Sequence, residues 1–163
     1  MSVNPFFQMT ESFVVCNLQN RADHLSNEAE QFYDLGRYEE ALQCYSEAAT
    51  IFQDLYGENH PDVALTLYGR GRALRQLSRF QEALECLTKV EQLTREISGD
   101  HNPFLAFILR SRAAALLTLG RPKEALSDLR EALNIFVQHY GSNHAQVVET
   151  QQIILTINVL MSF

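Results

Sequence analysis

The sequence contains no tryptophan, no long apolar run and no excess of basic residues. Without an apolar run of about 18 residues or more, no segment is expected to span a bilayer. The formal net charge of −7 disfavours nucleic acid and anionic membranes as partners, because both attract a positively charged surface. We therefore expect neither nucleic acid nor a membrane as the partner.

The amino-terminal residues also lack the basic stretch that begins a secretory signal. Three cysteines, at positions 16, 44 and 86, form an odd set without a C-x-x-C pair, which is typical of a reducing compartment. With 46% hydrophobic and 20% charged residues among 163, the chain has the composition of one globular domain. We expect a cytoplasmic protein.

No motif of a known chemistry is present: there is no glycine-rich phosphate loop, no G-x-S-x-G and no H-E-x-x-H. His60 and His144 occupy equivalent positions, and the order is swapped to His101-Asn102 between them. Side chains of this kind at a helix start favour capping of free N–H groups over metal binding. Cys44 and Cys86 are expected to be small apolar packing residues. We predict no enzyme activity, no cofactor and no metal site.

One eight-residue pattern occurs three times at a spacing of 42 residues: LGRYEEAL at 35–42, LSRFQEAL at 77–84 and LGRPKEAL at 119–126. A second marker, YGENH at 56–60, SGDHN at 98–102 and YGSNH at 140–144, keeps the same period. Two markers in phase over three copies indicate a repeat protein.

Each period contains two stretches with the i, i+3, i+4 apolar spacing of a buried helical face. Gly57, Gly99 and Gly141 stand where a helix is expected to end in a conformation with positive φ. Pro61 and Pro103 follow, in positions suited to the first turn of the next helix.

Pairs of small residues recur at the same spacing in each copy: Ala29 with Ala41, Gly71 with Ala83, and Ala113 with Ala125. These pairs, and the run Ala41-x3-Tyr45-x2-Ala48, resemble the tetratricopeptide repeat family, although leucine stands in place of its first-helix tryptophan. The 42-residue period and the junction GENHPDVA at 57–64 are similar to the repeats of kinesin light chains.

The resemblance implies an all-α fold, a right-handed α-solenoid with three repeats at about 21–59, 60–101 and 102–143 and a C-terminal helix over 144–162. Residues 1–20 are too apolar for a free tail, and we expect them to form a packing segment over the first repeat. The last helix has more apolar residues than one buried face can hide. It caps the solenoid, or it also contacts a second chain, or the native protein continues beyond it.

The resemblance also implies that the first helices of the repeats line a groove that binds peptides. From residue 63 to 81 and from 101 to 123 the basic residues have no acidic neighbours, whereas the second helices carry the carboxylates. The family pattern places the following residues in the groove: Tyr33, Leu65, Tyr68, Arg72, Arg75, Gln76, Phe107, Arg110 and Leu117.

These residues predict a non-catalytic adaptor that binds an extended, acidic peptide segment of a partner protein. One alternative is that the arginines only pair with neighbouring glutamates. Another is a self-associating scaffold or homodimer that uses Ile154, Ile157, Leu160 and Met161 of the last helix. A third is an enzyme or nucleotide-binding protein whose site lacks a motif, which would require a deep polar pocket.

Overall fold

The computed structural model describes residues 5–162, with side chains from residue 13 onward. Seven helices and no strand occur within that range. The helices are α1 (Pro5–Asp34), α2 (Tyr38–Tyr56), α3 (Pro61–Gln76), α4 (Phe80–Ser98), α5 (Pro103–Thr118), α6 (Pro122–Tyr140) and α7 (Ala145–Leu160). Each helix packs mainly on the next in the chain, which gives the predicted α-solenoid of helical hairpins.

Buried positions recur along the chain with the same 42-residue period as the sequence pattern. α3 and α5 each bury eight residues, and every buried position of α3 has its counterpart 42 residues later in α5. The second helices α4 and α6 likewise share the positions at which their apolar residues are buried.

The helix ends follow the local chemistry of the sequence. Pro61 and Pro103 are the first residues of α3 and α5, where their missing N–H groups need no partner. His60, Asn102 and His144 are the N-caps, and each side chain accepts a hydrogen bond from the backbone N–H two residues later. The predicted capping role of the histidines is confirmed.

The glycines that end α2, α4 and α6 have φ between 76° and 85° and ψ between 161° and 178°. The positive φ agrees with the prediction, but ψ lies far from the left-handed helical value. This extended region with positive φ is open almost only to glycine, which explains why the residue recurs in each copy.

The turn inside each hairpin is built by the same pair of backbone hydrogen bonds. In the first turn they run from the N–H groups of Gly36 and Arg37 to the carbonyls of Tyr33 and Phe32, and the other two turns repeat them. Ser78 occupies the glycine position of the middle turn with φ of 60°. It is the one non-glycine residue with positive φ in the described part of the chain.

The two ends of the solenoid differ from the expectation. α1 runs without a break across residue 20 and is 14 residues longer than α3. The side chains from Phe13 to Arg21 are exposed, so the apolar residues 13–18 extend the helix past its neighbours and do not cover the first repeat. Phe6 and Phe7 lie outside the residues whose side chains are described.

The last helix buries little of its surface. α7 packs on α6, and only Val147, Thr150 and Ile157 are buried. Ile157 lies in a core cluster with α5 and α6, which contradicts its predicted place on a self-association surface. Ile154 is half-buried against the same cluster, whereas Leu160 and Met161 are exposed.

Candidate peptide-binding groove

The first helices of successive repeats come together around one cavity of about 470 Å³. Ten of the eleven residues that line this cavity belong to α1, α3, α5 and α7, and the other belongs to α6. We call it the central cavity. Its lining residues are Tyr33, Tyr68, Arg72, Arg75, Arg110, Ser111, Ala113, Ala114, Leu117, Leu129 and Ile153.

Six of the nine residues predicted for the groove line the central cavity: Tyr33, Tyr68, Arg72, Arg75, Arg110 and Leu117. The other three lie beside it. Gln76 donates a hydrogen bond of 3.0 Å to the hydroxyl of Tyr33, and the ring of Phe107 packs 5.0 Å from that of Phe136. Leu65 lines a neighbouring cavity. The structure thus assembles the residues, and their binding role stays a prediction.

Arg72 stands between two aromatic rings and opposite a carboxylate. Its guanidinium lies 4.2 Å from the ring centre of Tyr33 and 5.8 Å from that of Tyr68, and its Nη1 lies 3.3 Å from Glu30. Burial lowers the pKa of Arg72, but the charge of Glu30 and the nearby tyrosines outweigh burial and raise it above its ordinary value. Arg72 therefore keeps its positive charge inside the groove.

Glu30 also accepts a hydrogen bond from the hydroxyl of Tyr45 in α2. Burial and this hydrogen bond raise the pKa of Tyr45 above its ordinary value, so the hydroxyl remains a donor. The position of Glu30 is thus fixed from two sides, by Tyr45 and by Arg72.

The other two arginines of the cavity have different surroundings. Arg110 lies 3.3 Å from Glu149 of α7 and over the rings of Phe107 and Phe136, at 5.7 Å from each. Arg75 is half-buried and has no carboxylate within ion-pair distance among the described side chains. The central cavity therefore contains a guanidinium that no described carboxylate neutralises.

Two further cavities continue the groove in opposite directions. Toward the amino terminus, a cavity of about 320 Å³ is acidic, with Asp23, Glu30 and Asp62 in its wall. Toward the carboxyl terminus, a cavity of about 900 Å³ is mainly apolar and shares Leu117 and Ile153 with the central cavity. The groove therefore changes along its length from acidic to basic to apolar.

A family model described as tetratricopeptide repeat matches residues 20–96 and again residues 62–138, which together span most of the chain. The chain belongs to the tetratricopeptide repeat family. Domains of this family mediate protein–protein interactions, and a groove lined by first helices is consistent with that. No curated protein matches the sequence.

Solved structures show the same tetratricopeptide fold with kinesin-light-chain-like repeats. A putative kinesin light chain with nearly identical TPR-like repeats from Podosopora anserina is 19% identical, with a TM-score of 0.77 over 85% of this chain and 66% of that one. BtubC (BKLC) from P. vanneervenii is 18% identical, with a TM-score of 0.77 over 83% of this chain and 54% of that one. This chain therefore matches less than two thirds of the length of either protein.

A third similar structure contains a bound peptide. The first TPR domain of Spaghetti (RPAP3), solved with the HSP90 peptide SRMEEVD, is 18% identical, with a TM-score of 0.67 over 89% of this chain and 96% of that domain. At these identities the likeness establishes the fold that the proteins share.

The most buried ion pairs among the described side chains of this tetratricopeptide protein lie outside the groove. Arg112 of α5 donates two hydrogen bonds of 2.8 Å to Asp128 of α6 and also contacts Glu91 of α4. Glu91 in turn pairs with Arg95 at 2.9 Å. The side chains of Arg112, Asp128 and Glu91 are 15%, 9% and 13% exposed, so these contacts form a buried network that joins three helices.

In the charge pattern of the sequence, Arg112 is one of several basic residues of the first helices, and the pattern alone predicts no separate role for it. The signal that separates it from Arg110 was available, because residues two apart on a helix point to opposite sides. A carboxylate at position 128, on the apolar side of α6, was the second sign.

The structure also describes the surroundings of the cysteines and of the possible metal ligands. The three cysteines are free, and burial raises the pKa of the thiols of Cys44 and Cys86 above the ordinary value, which disfavours a reactive thiolate. Within the described residues, no group of three or more His, Cys, Asp and Glu side chains is placed to hold a metal ion. Nor does any described helix combine the length and apolar character of a membrane span.

Proposed function

We propose that this chain is a non-catalytic, cytoplasmic adaptor that holds an extended acidic segment of a partner protein in its groove. The observation that carries the proposal is the half-buried guanidinium of Arg75, which lines the central cavity together with Arg72 and Arg110 and has no carboxylate partner from the described chain. A ligand carboxylate there gains a charge-assisted, bidentate contact in a partly desolvated site.

The ion pairs already present in the groove do not compete strongly with such a ligand. Glu30 and Glu149, which pair with Arg72 and Arg110, are 50% and 57% exposed. Pairs with this exposure contribute at most about 1 kcal/mol each. A ligand carboxylate can therefore share or replace them at small cost.

The aromatic and apolar parts of the groove favour an apolar anchor beside the acidic residues of the ligand. Tyr33 and Tyr68 flank the arginines, and Leu117 and Ile153 lead from the central cavity into the apolar one. The acidic peptide SRMEEVD, bound by the first TPR domain of Spaghetti, is an example of a ligand with both features. An open groove of this kind suits a peptide better than the substrate of an enzyme.

The proposal is tested by selecting ligands from a displayed library of random peptides on the folded chain. Selected peptides are expected to be rich in Asp and Glu, and the triple variant Arg72→Glu, Arg75→Glu, Arg110→Glu is expected to lose them. The control variant, Arg130→Glu, changes an exposed arginine of α6 outside the groove. Peptides without acidic enrichment, or equal binding to all three proteins, would refute the proposal.

The exposed surface of α7 favours self-association as a second function. Val148, Leu155 and Val159 are 41%, 64% and 58% exposed, and Leu160 is 71% exposed. We propose that a second copy of the chain covers this surface. Sedimentation velocity tests it: the mass is expected to rise above that of a monomer with concentration, and a constant monomer mass would refute it.

A further inference from the structure

α7 corresponds to the first helix of a repeat. Its exposed face is the one that the second helix of the same repeat would cover. Residues 42 positions before Val148 and Leu155 are Ala106 and Ala113 of α5, which are buried in the clusters that α5 forms with α6. In α7 the corresponding positions are exposed because the described chain has no helix after it. Within the described residues, the position beside the open face of α7 is therefore unfilled.

At the other end of the described chain, α1 has an exposed extension. α1 is 30 residues long, against 16 for α3 and α5, and the excess lies at its amino terminus. Val14, Val15 and Leu18 are exposed at 54%, 44% and 37%. Val15 and Leu18 continue the helical stripe of Ala22, which is fully buried in the core of the first repeat.

We infer that the amino-terminal extension of α1, residues 5–18, from a second copy fills the open position beside α7, so that copies join head to tail. This inference rests on the self-association proposed above and names the two surfaces. The extension is about 21 Å long and α7 about 24 Å, at 1.5 Å per helical residue, so the two helices match in length.

Charge supports this pairing. The proposed extension, residues 5–18, contains one charged side chain, Glu11, and α7 contains only Glu149, which pairs with Arg110 on the side of the groove. The exposed surfaces of α2, α4 and α6 carry several carboxylates and basic residues, as solvated helix faces do. The extension of α1 and the open face of α7 therefore carry far less charge than these solvated helix faces, which suits them to cover each other.

Symmetric pairing of two α7 helices would cover only one of the two surfaces and leave each α1 extension exposed. Head-to-tail contact covers both kinds of surface. Because such an interface joins different surfaces of the two copies, it does not close after two copies and produces chains that lengthen with concentration.

Two variants, each blocked at one end, test the inference. The head variant, Val15→Lys with Leu18→Lys, changes exposed residues of α1, and the tail variant, Leu155→Lys with Val159→Lys, changes exposed residues of α7. Each variant alone is expected to sediment as a monomer. An equimolar mixture is expected to form a dimer and to stop there, because only one intact head and one intact tail can meet.

The alternatives give different results. If the head variant alone still dimerises while the tail variant does not, two α7 helices pair, and the head-to-tail inference is wrong although self-association stands. If the mixture stays monomeric, the inference is also wrong. If the unaltered chain is a monomer at all concentrations, both self-association and the inference fail. Circular dichroism checks that both variants fold, and peptide binding in the groove is expected to be unchanged in them.

Discussion

Arg70 and Arg112 occupy the same position of successive repeats, and their surroundings differ. Arg112 is held by Asp128 and Glu91, whereas Nε of Arg70 is buried with no hydrogen-bond partner among the described groups. At the positions that correspond to those two carboxylates, the earlier repeat has Cys86 and Ala49. One repeat junction is joined by a satisfied ionic network. The equivalent junction has no such network among the described side chains, and Cys86 there donates a hydrogen bond of 3.3 Å to the carbonyl of Leu67.

The difference shows that a residue repeated with the period need not have a repeated role. A buried charge is stabilising only where its partners are present, since desolvation otherwise outweighs its attraction to distant groups. The junction between α4, α5 and α6 should therefore respond strongly to removal of an acid. The junction between α2, α3 and α4 should respond to changes in packing.

The largest effect is expected from Asp128→Ala. Removing this carboxylate leaves Arg112 buried without its bidentate partner, and such a loss costs about 3 kcal/mol or more of unfolding free energy. Cys86→Ala, the matched change in the earlier repeat, is expected to cost less than half as much. Chemical denaturation of both variants measures the difference, and equal losses would show that the two junctions are alike.

The second largest loss of unfolding free energy is expected where α3 closely approaches α2. A Cβ atom added at Gly69 would lie 2.4 Å from Cε1 of Tyr45, so the helices must separate or the ring must move. We expect Gly69→Ala to reduce the unfolding free energy by about 1–3 kcal/mol, as overpacking of a core does.

Ser111 is the equivalent residue of α5, and it already carries a Cβ atom because Leu87 stands where the earlier repeat has Tyr45. Ser111→Ala is the matched control, expected to lose only its 3.2 Å contact with the hydroxyl of Tyr68. If Gly69→Ala proved neutral in denaturation, the packing account of this junction would be wrong.

A smaller change, a gain in unfolding free energy, is expected at the middle hairpin turn. Ser78 has φ of 60° where the other two turns have glycine, and a side chain is disfavoured in that conformation. Ser78→Gly should stabilise the folded chain by about 0.5–1 kcal/mol after the greater freedom of glycine in the unfolded chain is subtracted. A lower unfolding midpoint for this variant would contradict the account.

The smallest effect is expected from the ion pairs that recur at the three turns, of which Arg79 with Glu82 is the middle one. Hydrogen bonds from Arg37, Arg79 and Arg121 lower the pKa of Glu40, Glu82 and Glu124. A lowered folded-state pKa adds stability above the ordinary value of 4.5, which is lost as the pH falls through the folded value.

The measurement compares the unaltered chain with the triple variant Glu40→Gln, Glu82→Gln, Glu124→Gln. Because these groups are solvent-exposed, the difference in denaturation midpoint should be small at pH 6, and it should shrink as the solution is acidified below pH 4.5. A difference that does not change with pH would exclude the ion pairs as its source.

The fold could be predicted from the sequence because its determinants are local. Gly57 and its counterparts, Pro61, the histidine caps and the small–small pairs each specify a turn, a helix start or a close approach, and the period repeats them in phase. Arg79 and Glu82, which form the turn ion pair, both belong to the repeated eight-residue pattern, but the pattern alone does not predict their contact.

The site was only partly predictable because it depends on which side chains meet between repeats. The family pattern places Arg72, Arg75 and Arg110 near one another, but only the structure shows that Arg75 alone among them lacks a carboxylate partner among the side chains it describes. Composition likewise could not show that Ile157 is buried in its own chain while Leu155 is exposed. That choice depends on the rotation of α7 against α6.

The most direct test of the central claim is the affinity of a selected acidic peptide for Arg75→Glu, measured by calorimetry beside Arg130→Glu. A hydrogen bond to a charged group contributes about 1.5–3 kcal/mol, so we expect Arg75→Glu to weaken binding roughly tenfold to hundredfold and Arg130→Glu to leave it unchanged. Equal affinities of the two variants would contradict the assignment of the groove.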